Sequence, residues 1–165
     1  RYEPNTEFVS FKKESIKSGG DPSVYKKQRI VVRQIGVFPE GTIVEPNIMT
    51  LNTIYNIYLH KEDIHSLRFL LSLINSKLFQ FYWLKKHYDN KATFPKIKKE
   101  PIESFPIKDA DSETIKKHSE LVLEILTKKS QDNSADTTDL ENKIDQLVYQ
   151  LYGLTEEEIK IIEIE

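Results

Sequence analysis

Hydrophobic and polar positions change their period along this chain of 165 residues. Up to about residue 59, apolar residues cluster in short runs rich in β-branched and aromatic side chains, which is typical of strands. From residue 64 onward they recur at gaps of three and four, which is typical of helices. The pattern predicts an α+β fold in which a small, mostly antiparallel sheet packs on a long buried helix and precedes a C-terminal helical hairpin.

Three stretches are predicted to form strands. Residues 8–11 form a short strand candidate, residues 28–35 carry apolar β-branched side chains suited to a sheet core, and residues 49–59 form a long strand or strand pair. Turns are expected at 19–22 and 39–42, because glycine tolerates positive φ and proline fixes its own φ.

A single helix is predicted from about residue 64 to residue 87. It is apolar on most sides, so we expect it to be buried between the sheet and other helices, with Asp63 as its N-cap. Residues 90–108 are predicted to be extended and free of helix, with a short strand near Phe105. The basis is three prolines in this stretch: Pro95, Pro101 and Pro106.

The last third of the chain predicts two helices at about 112–129 and 139–152, paired as a hairpin. Gly153 is the expected stop of the second helix. Thr-Asp-Leu-Glu at 138–141 and Thr-Glu-Glu-Glu at 155–158 both fit a capping box, and the second of them opens a last short helix.

The net charge of −2 hides a strong asymmetry between the two parts of the chain. Residues 1–99 contain 17 Lys and Arg and 9 Asp and Glu, a net charge of +8, whereas residues 100–165 contain 7 and 17, a net charge of −10. Such a split indicates a part that faces a polyanion and a part with another task. It agrees with a predicted division into a β-rich portion with a central helix, 1–108, and a helical packing subdomain, 109–165.

Composition excludes several classes of protein. The chain has no cysteine, which rules out disulfides, Cys-ligated zinc, iron–sulfur clusters and a cysteine nucleophile. It has no apolar run of about 18 residues, so we expect no transmembrane helix and a cytoplasmic location. Because the chain begins at Arg1 and its only methionine is Met49, we expect it to be a piece of a longer polypeptide.

No catalytic motif stands out. The four histidines do not have the spacing of metal ligands on a helix, and no glycine-rich phosphate loop is present. Glu158 and Lys160, with Asp145 upstream, match part of a metal-dependent nuclease motif, but acidic residues at a helix start are expected for structural reasons. We therefore predict no metal site and no catalysis by this chain.

Lysine and arginine in the first part of the chain define a candidate nucleic-acid surface, with aromatic residues such as Tyr25 and Tyr82 interleaved. Lysines give sequence-independent phosphate contacts, whereas arginine and glutamine can read guanine and adenine edges. The alternative is that Arg33 and Gln34 are ordinary exposed strand residues. The predicted DNA-binding residues are Lys12, Lys13, Lys26, Lys27, Gln28, Arg29, Arg33, Gln34, Lys85, Lys86, Lys91 and Lys96, of which Gln28, Arg29, Arg33 and Gln34 are the candidate base readers.

Three segments together resemble a known family: LLSLINSKLFQFYW at 70–83, FPKIKKEPIESFPI at 94–107 and IDQLVYQLYGLTEEEIKIIE at 144–163. The chain resembles, over about residues 25–163, the TaqI-like C-terminal specificity domain. This is the target-recognition domain of adenine-specific DNA methyltransferases in restriction–modification systems, including fused restriction–methylation enzymes. It is also similar to the target-recognition and spacer-helix units of type I specificity subunits.

The resemblance implies sequence-specific recognition of double-stranded DNA without catalysis. The sheet would lie on DNA opposite a methyltransferase domain of the parent chain, and that domain would bind S-adenosylmethionine, leaving no cofactor for this chain. Asn75, Ser76 and Lys77 match the family pattern and are expected to serve helix packing. One rival hypothesis is a helical protein-interaction or dimerisation module with no direct DNA role, and a second is a nuclease.

Overall fold

The computed structural model describes residues 21–88 and 95–164 of the chain. The fold class is α+β, as predicted, whereas the strand predicted at 8–11 lies outside the described residues. In chain order the elements are a 3-10 helix (Pro22–Lys26), β1 (Arg29–Arg33), β2 (Gly41–Val44), β3 (Ile54–Ile57), α1 (Ile64–Ile74), α2 (Lys77–Lys86), α3 (Lys99–Glu103), α4 (Ser112–Gln131), α5 (Thr138–Tyr152) and α6 (Glu156–Ile164).

The described strands form one antiparallel sheet in the order β2-β1-β3. Because side chains alternate along a strand, the central strand has two different faces. Ile30 and Val32 are fully buried on the face that packs against α1. Arg29, Val31 and Arg33 lie on the opposite face, which we call the outer face.

The strand predicted at 28–35 is confirmed as β1, but the other two predictions for the sheet need correction. The turn expected at 39–42 is wrong in part, because Gly41 already pairs with Val32 as the first residue of β2. A Cβ at Gly41 would lie 3.0 Å from the Ile30 side chain, so glycine lets the sheet approach the core closely. Of the long strand expected at 49–59, only residues 54–57 pair.

Residues 45–53 connect β2 to β3 and are called the crossover from here on. Both strands run antiparallel to β1, so they are parallel to each other with β1 between them. The connection leaves the sheet at Val44, opposite Arg29, and returns at Ile54, opposite Arg33. The connection must therefore cross the width of β1, about 10 Å from β2 to β3. It must also run the length of β1, from the Arg29 end to the Arg33 end. A bond from Arg29 to the Ile48 carbonyl shows that it does so over the outer face.

The single helix predicted at 64–87 is wrong, since the chain forms two helices, α1 and α2, separated at Asn75 and Ser76. Asp63 is the N-cap of α1 as predicted, and its carboxylate accepts a hydrogen bond from the His65 N–H at 3.0 Å. Ser76 has extended backbone angles, and its hydroxyl accepts from the Phe79 N–H at 3.2 Å. This new N-cap starts α2 and so interrupts the apolar stripe without a proline.

Residues 75–77 form a junction between the sheet and three helices. The Asn75 side chain bonds both backbone groups of Gly41, accepting from its N–H at 2.9 Å and donating to its carbonyl at 3.0 Å. The buried carboxylate of Asp145 in α5 accepts from the Lys77 N–H at 2.9 Å. The Lys77 ammonium donates to Glu163 in α6 at 2.6 Å. The expected packing role of this motif is thereby confirmed.

Helix α1 lies between the sheet and α4, and two serine–histidine pairs join the helices. Ser72 Oγ donates to the Phe69 carbonyl at 2.7 Å, so it accepts from Nδ1 of the fully buried His118 at 2.8 Å. Burial lowers the pKa of His118 to about 4. At the edge of the contact, His65 Nδ1 lies 3.0 Å from Ser119 Oγ. His118 is therefore a neutral core residue at neutral pH.

The prediction that proline forbids helix at 90–108 is wrong for the short helix α3. Pro101 is the third residue of that helix, in the first turn, where a backbone N–H has no partner within the helix. The short strand expected near Phe105 is also wrong. The isolated bridge joins Lys96 to Ile35 instead, and Phe105 is buried edge-on against Phe79, with ring centroids 4.3 Å apart.

The C-terminal helices α4, α5 and α6 agree closely with the predicted ranges. Gly153 ends α5 with a φ of 71°, as expected for a glycine stop. The first predicted capping box is wrong, because α5 is capped one residue earlier at Thr137, whose hydroxyl donates to Glu141. The second box is confirmed. The Thr155 N–H donates to Glu158, and the Glu158 N–H donates to the Thr155 hydroxyl.

One hydrophobic core runs through the described residues. Val122 of α4 and Val148 of α5 belong to the same buried cluster as Ile30 of β1. The core thus crosses the predicted boundary at residues 108 and 109, and that division stays a prediction. Within the described ranges, no helix is both long enough and apolar enough to span a bilayer.

Replacing Asn75 should weaken the whole fold. Asn75→Ala removes two hydrogen bonds, and because both lie at the surface, where water can take the place of the amide, the cost should be about 1 kcal/mol. Urea denaturation followed by circular dichroism measures the loss. Asn142→Ala on the exposed face of α5 is the matched control, expected within about 0.5 kcal/mol of wild type. Equal stability of the two variants would contradict the role of the junction.

The buried groups His118 and Asp145 should change the free energy of unfolding in opposite directions as the pH falls. The pKa of His118 falls to about 4, so between pH 6.5 and 4 only the unfolded chain takes up that proton, and acidification destabilises the fold. Burial raises the pKa of Asp145 to about 6, so between pH 6 and 3.8 the folded chain binds a proton that the unfolded chain does not. Acidification through that window therefore stabilises the fold.

Variants separate the two effects. Relative to wild type, His118→Gln should gain stability from pH 6.5 to 4, and Asp145→Asn should lose it, each by about 1–3 kcal/mol. Urea denaturation at half-unit pH steps gives the slopes, and carboxylates elsewhere contribute equally to all three proteins. Parallel slopes would show that the two groups titrate as they do in the unfolded chain.

Candidate nucleic-acid interface

The predicted DNA-binding residues are distributed over several elements, and some lie outside the part of the chain that the structure describes. Lys12, Lys13 and Lys91 are in that group, and their role stays a prediction. The other candidates occupy three places: the approach to β1, the far end of β1 with the neighbouring segment at Lys96, and the C-terminal end of α2.

Lys26 and Lys27 lie beside the sheet, immediately before β1. Asp21 caps the 3-10 helix that carries Lys26. It accepts the Ser23 hydroxyl at 2.6 Å and the Ser23 N–H at 2.9 Å, and these bonds lower the pKa of that carboxyl. Lys26 is exposed to solvent. The Lys27 ammonium lies 5.5 Å from the centroid of the Tyr58 ring, a favourable contact that leaves its charge intact. Lys26 shares a groove with Glu45, Glu62 and Asp63 near the start of α1, so the two lysines have different surroundings.

Arg29 is fully buried on the outer face, under the crossover. Its Nε donates to Asn56 Oδ1 at 2.7 Å, and its terminal nitrogens donate to the Lys27 and Ile48 carbonyls. The guanidinium also stacks over the Tyr25 ring, 4.9 Å from its centroid. Burial lowers its pKa, yet a guanidinium stays charged at neutral pH. This position argues against the predicted base-reading role of Arg29, because no face of the side chain is open to a duplex.

Two of the other three candidate base readers have side-chain partners within the fold, and the third, Gln34, is bonded through its backbone. The Gln28 side-chain amide donates to both carboxylate oxygens of Glu45, at 2.9 and 2.8 Å. Arg33 forms an exposed ion pair with Glu40. Gln34 uses its backbone in the sheet region, where its N–H donates to Thr53 and its carbonyl accepts from Ile97. Of the four, Arg33 offers the most accessible charge, since an exposed pair of this kind exchanges readily.

A separate basic group lies at the end of α2. Lys86 donates to the Tyr82 hydroxyl at 3.1 Å, and Lys85 lies over the Phe81 ring. His87 ends the helix and packs against Tyr82 and Trp83, and burial with the nearby Lys86 charge lowers its pKa. Lys85 and Lys86 are therefore exposed cations on an aromatic base, but they belong to a different element from Lys26 and Lys27.

Apart from Glu45 at its start, the crossover is an uncharged surface that the sequence reasoning missed. Ile48, Met49 and Leu51 are 47%, 48% and 77% exposed, and Asn47 and Asn52 are exposed beside them. Exposed apolar side chains so close together mark an interaction surface. A signal was present in the sequence. Residues 46–59 contain no charged side chain, the longest such run in a chain that is 30% charged.

Comparison with models of protein families shows the family to which this chain belongs. The model of the TaqI-like C-terminal specificity domain matches residues 1–107, about two thirds of the chain. The chain belongs to the TaqI-like C-terminal specificity domain family. The match covers the sheet and helices α1, α2 and α3, so the segment at 144–163 that also carried the resemblance lies beyond it. A search of curated proteins finds no match.

The described part of this specificity domain contains no arrangement of three or more histidine or carboxylate side chains that could hold a metal ion. The residues of the nuclease hypothesis have structural partners instead. Asp145 accepts the Lys77 N–H at the junction, and Glu158 accepts the Thr155 N–H in its capping box. The geometry of these acids is that of helix caps.

Arg29 should stabilise the specificity domain through the crossover. Arg29→Lys replaces a fork of donors by a single ammonium, so at least one buried acceptor loses its partner, at a cost of about 1–3 kcal/mol. Urea denaturation measures that loss, and thermolysin should cleave the crossover faster at Leu51. Arg33→Lys, in an exposed ion pair, is the control and should change stability by less than about 0.5 kcal/mol. Unchanged cleavage in Arg29→Lys would contradict the anchoring role.

Proposed function

We propose that this chain is the DNA target-recognition domain of an adenine-specific methyltransferase of a restriction–modification system, with no catalysis of its own. The observation that carries the proposal is the family match over residues 1–107, which contain the sheet and its lysines. A specificity domain selects the sequence on which a catalytic domain acts. The parent would thus be a methyltransferase or a fused restriction–methylation enzyme.

The charge distribution supports this proposal. The sheet side belongs to the part of the chain with a net charge of +8, and the part with a net charge of −10 includes α4, α5 and α6. Helix α1 separates the sheet from α4. A duplex that lies on the sheet side would therefore meet the basic part of the domain, with α4 on the far side of α1.

The proposal also assigns partners. Double-stranded DNA binds the first part of the domain, and the acidic helices connect to or pack on the methyltransferase domain. S-adenosylmethionine belongs to that catalytic domain, because the specificity domain has only to position it on the target. No cofactor and no membrane contact are assigned to this chain.

Removing Lys26 and Lys27 should weaken binding to every sequence. Fluorescence anisotropy with a mixed-sequence duplex at about 50 and 200 mM salt measures the effect. If five or six lysines contact phosphates, log K falls against log salt with a slope of about −5. The double variant Lys26→Ala, Lys27→Ala should flatten that slope by up to about 2.

A matched control removes two adjacent lysines from the acidic side of the fold. Lys128→Ala with Lys129→Ala, at the end of α4, should leave the slope unchanged. Equal effects of the two double variants would contradict the proposed orientation. Absence of binding by both this chain and the intact parent protein would overturn the DNA role, and self-association through the helices would then favour an interaction module.

A further inference from the structure

The outer face of the sheet carries a candidate base-reading element that differs from the residues expected from the sequence. Resting on the proposed function, we infer that the crossover reads base edges and that Met49, Leu51 and Asn52 recognise A·T pairs. Lys26 and Lys27 beside it supply phosphate contacts only.

Exposure is the first argument. Leu51 is the most exposed large apolar residue of the sheet region, and Met49 is half exposed two positions before it. Neither side chain belongs to the core, to which β1 contributes Ile30 and Val32 from the opposite face of the sheet and the helices contribute most of the rest. Apolar side chains displayed in this way are suited to a surface that becomes buried on binding.

The chemistry of the crossover favours A·T pairs. In the major groove, thymine presents a methyl group that apolar side chains contact, and adenine presents a donor and an acceptor that an asparagine amide matches. Arginine and lysine, the usual readers of guanine, are absent from residues 46–59. Leu51 and Met49 supply the apolar contacts and Asn52 supplies the amide.

The crossover is also held in one conformation before any ligand arrives. Arg29 anchors the Ile48 carbonyl from below, and the Asn47 N–H donates to the Tyr25 carbonyl at 2.6 Å. Asn47 has a φ of 69°, a left-handed conformation that asparagine adopts more easily than most residues. The Ile54 N–H donates to the Leu51 carbonyl at 3.1 Å and closes the turn. A fixed backbone lowers the entropic cost of binding and gives the exposed side chains a defined register.

The anchors place phosphate and base contacts side by side. The bond between Asn47 and Tyr25 joins the crossover to the residue immediately before Lys26. The amide of Gln28 bonds Glu45, the first residue of the crossover. Lys26 and Lys27 thus precede β1 beside the start of the crossover, where Glu45 is the only charged residue of the loop. This is the arrangement in which cations hold the backbone of a duplex while neutral side chains enter its groove.

The test begins with selection from a random duplex library by the 165-residue chain. Wild type should select a site that contains at least one A·T pair. Leu51→Ala should lower the preference for that site over mixed-sequence DNA about three- to fivefold, the loss expected for one buried methyl group. Asn52→Ala should lower it about tenfold or more at one adenine. Neither change should alter affinity for mixed-sequence DNA by more than about twofold.

Replacing thymine by uracil removes only the methyl group and so tests the contact directly. Uracil at one thymine of the selected site should weaken wild-type binding about three- to fivefold and should have no effect on Leu51→Ala. Leu123→Ala, which truncates an apolar residue 43% exposed on α4, is the control and should retain wild-type preference and the full uracil effect.

The outcomes separate this inference from the function on which it rests. If wild type selects a site and Leu51→Ala and Asn52→Ala retain its full preference, the crossover does not read bases and the recognition function stands. A selected site made only of G·C pairs likewise overturns the A·T assignment alone. If no duplex is bound at about 50 mM salt, by this chain or by the intact parent, the recognition function and the inference both fail.

Discussion

The paired hydrogen bonds between Asn75 and the backbone of Gly41 join the sheet to the point where the central helices meet. They fix the first residue of β2 at the point where α1 ends, and the next two residues begin α2 and receive the carboxylate of Asp145 from α5. Sheet, central helices and C-terminal helices therefore meet within three consecutive residues. The continuous core and this contact together set the orientation of the sheet relative to the acidic helices.

Much of the fold could be predicted from hydrophobic periodicity, because long amphipathic helices such as α4 and α5 repeat their pattern many times. The break between α1 and α2 could not, since the apolar stripe continues through it and only the capping hydroxyl of Ser76 marks it. The helix at Pro101 was also missed, because proline breaks a helix interior but is tolerated in its first turn, where the backbone N–H has no partner within the helix. Short strands were the least predictable, because Gly41 joins β2 by pairing with Val32 and is bonded to Asn75, a residue 34 positions away.

The candidate site was less predictable than the fold. The basic part of the chain could be located from the sequence, because a net charge is a sum over residues and needs no structure. The individual base readers were chosen by residue type, and residue type does not reveal that Arg29 would be covered or that Gln28 would find Glu45. Both outcomes depend on the path of the crossover, which follows from strand order. An arginine in an apolar strand is a candidate anchor as much as a candidate reader.

The strand order also determines how the domain assembles. β1 and β2 are neighbours in sequence and can pair early, but β3 docks only after the chain has passed over β1, which is a slower closure. β3 is an edge strand that pairs with β1 alone within the sheet, and its Tyr55 and Ile57 side chains pack on the core. The crossover contributes no residue to that core, so exchange of its exposed side chains is compatible with an unchanged scaffold.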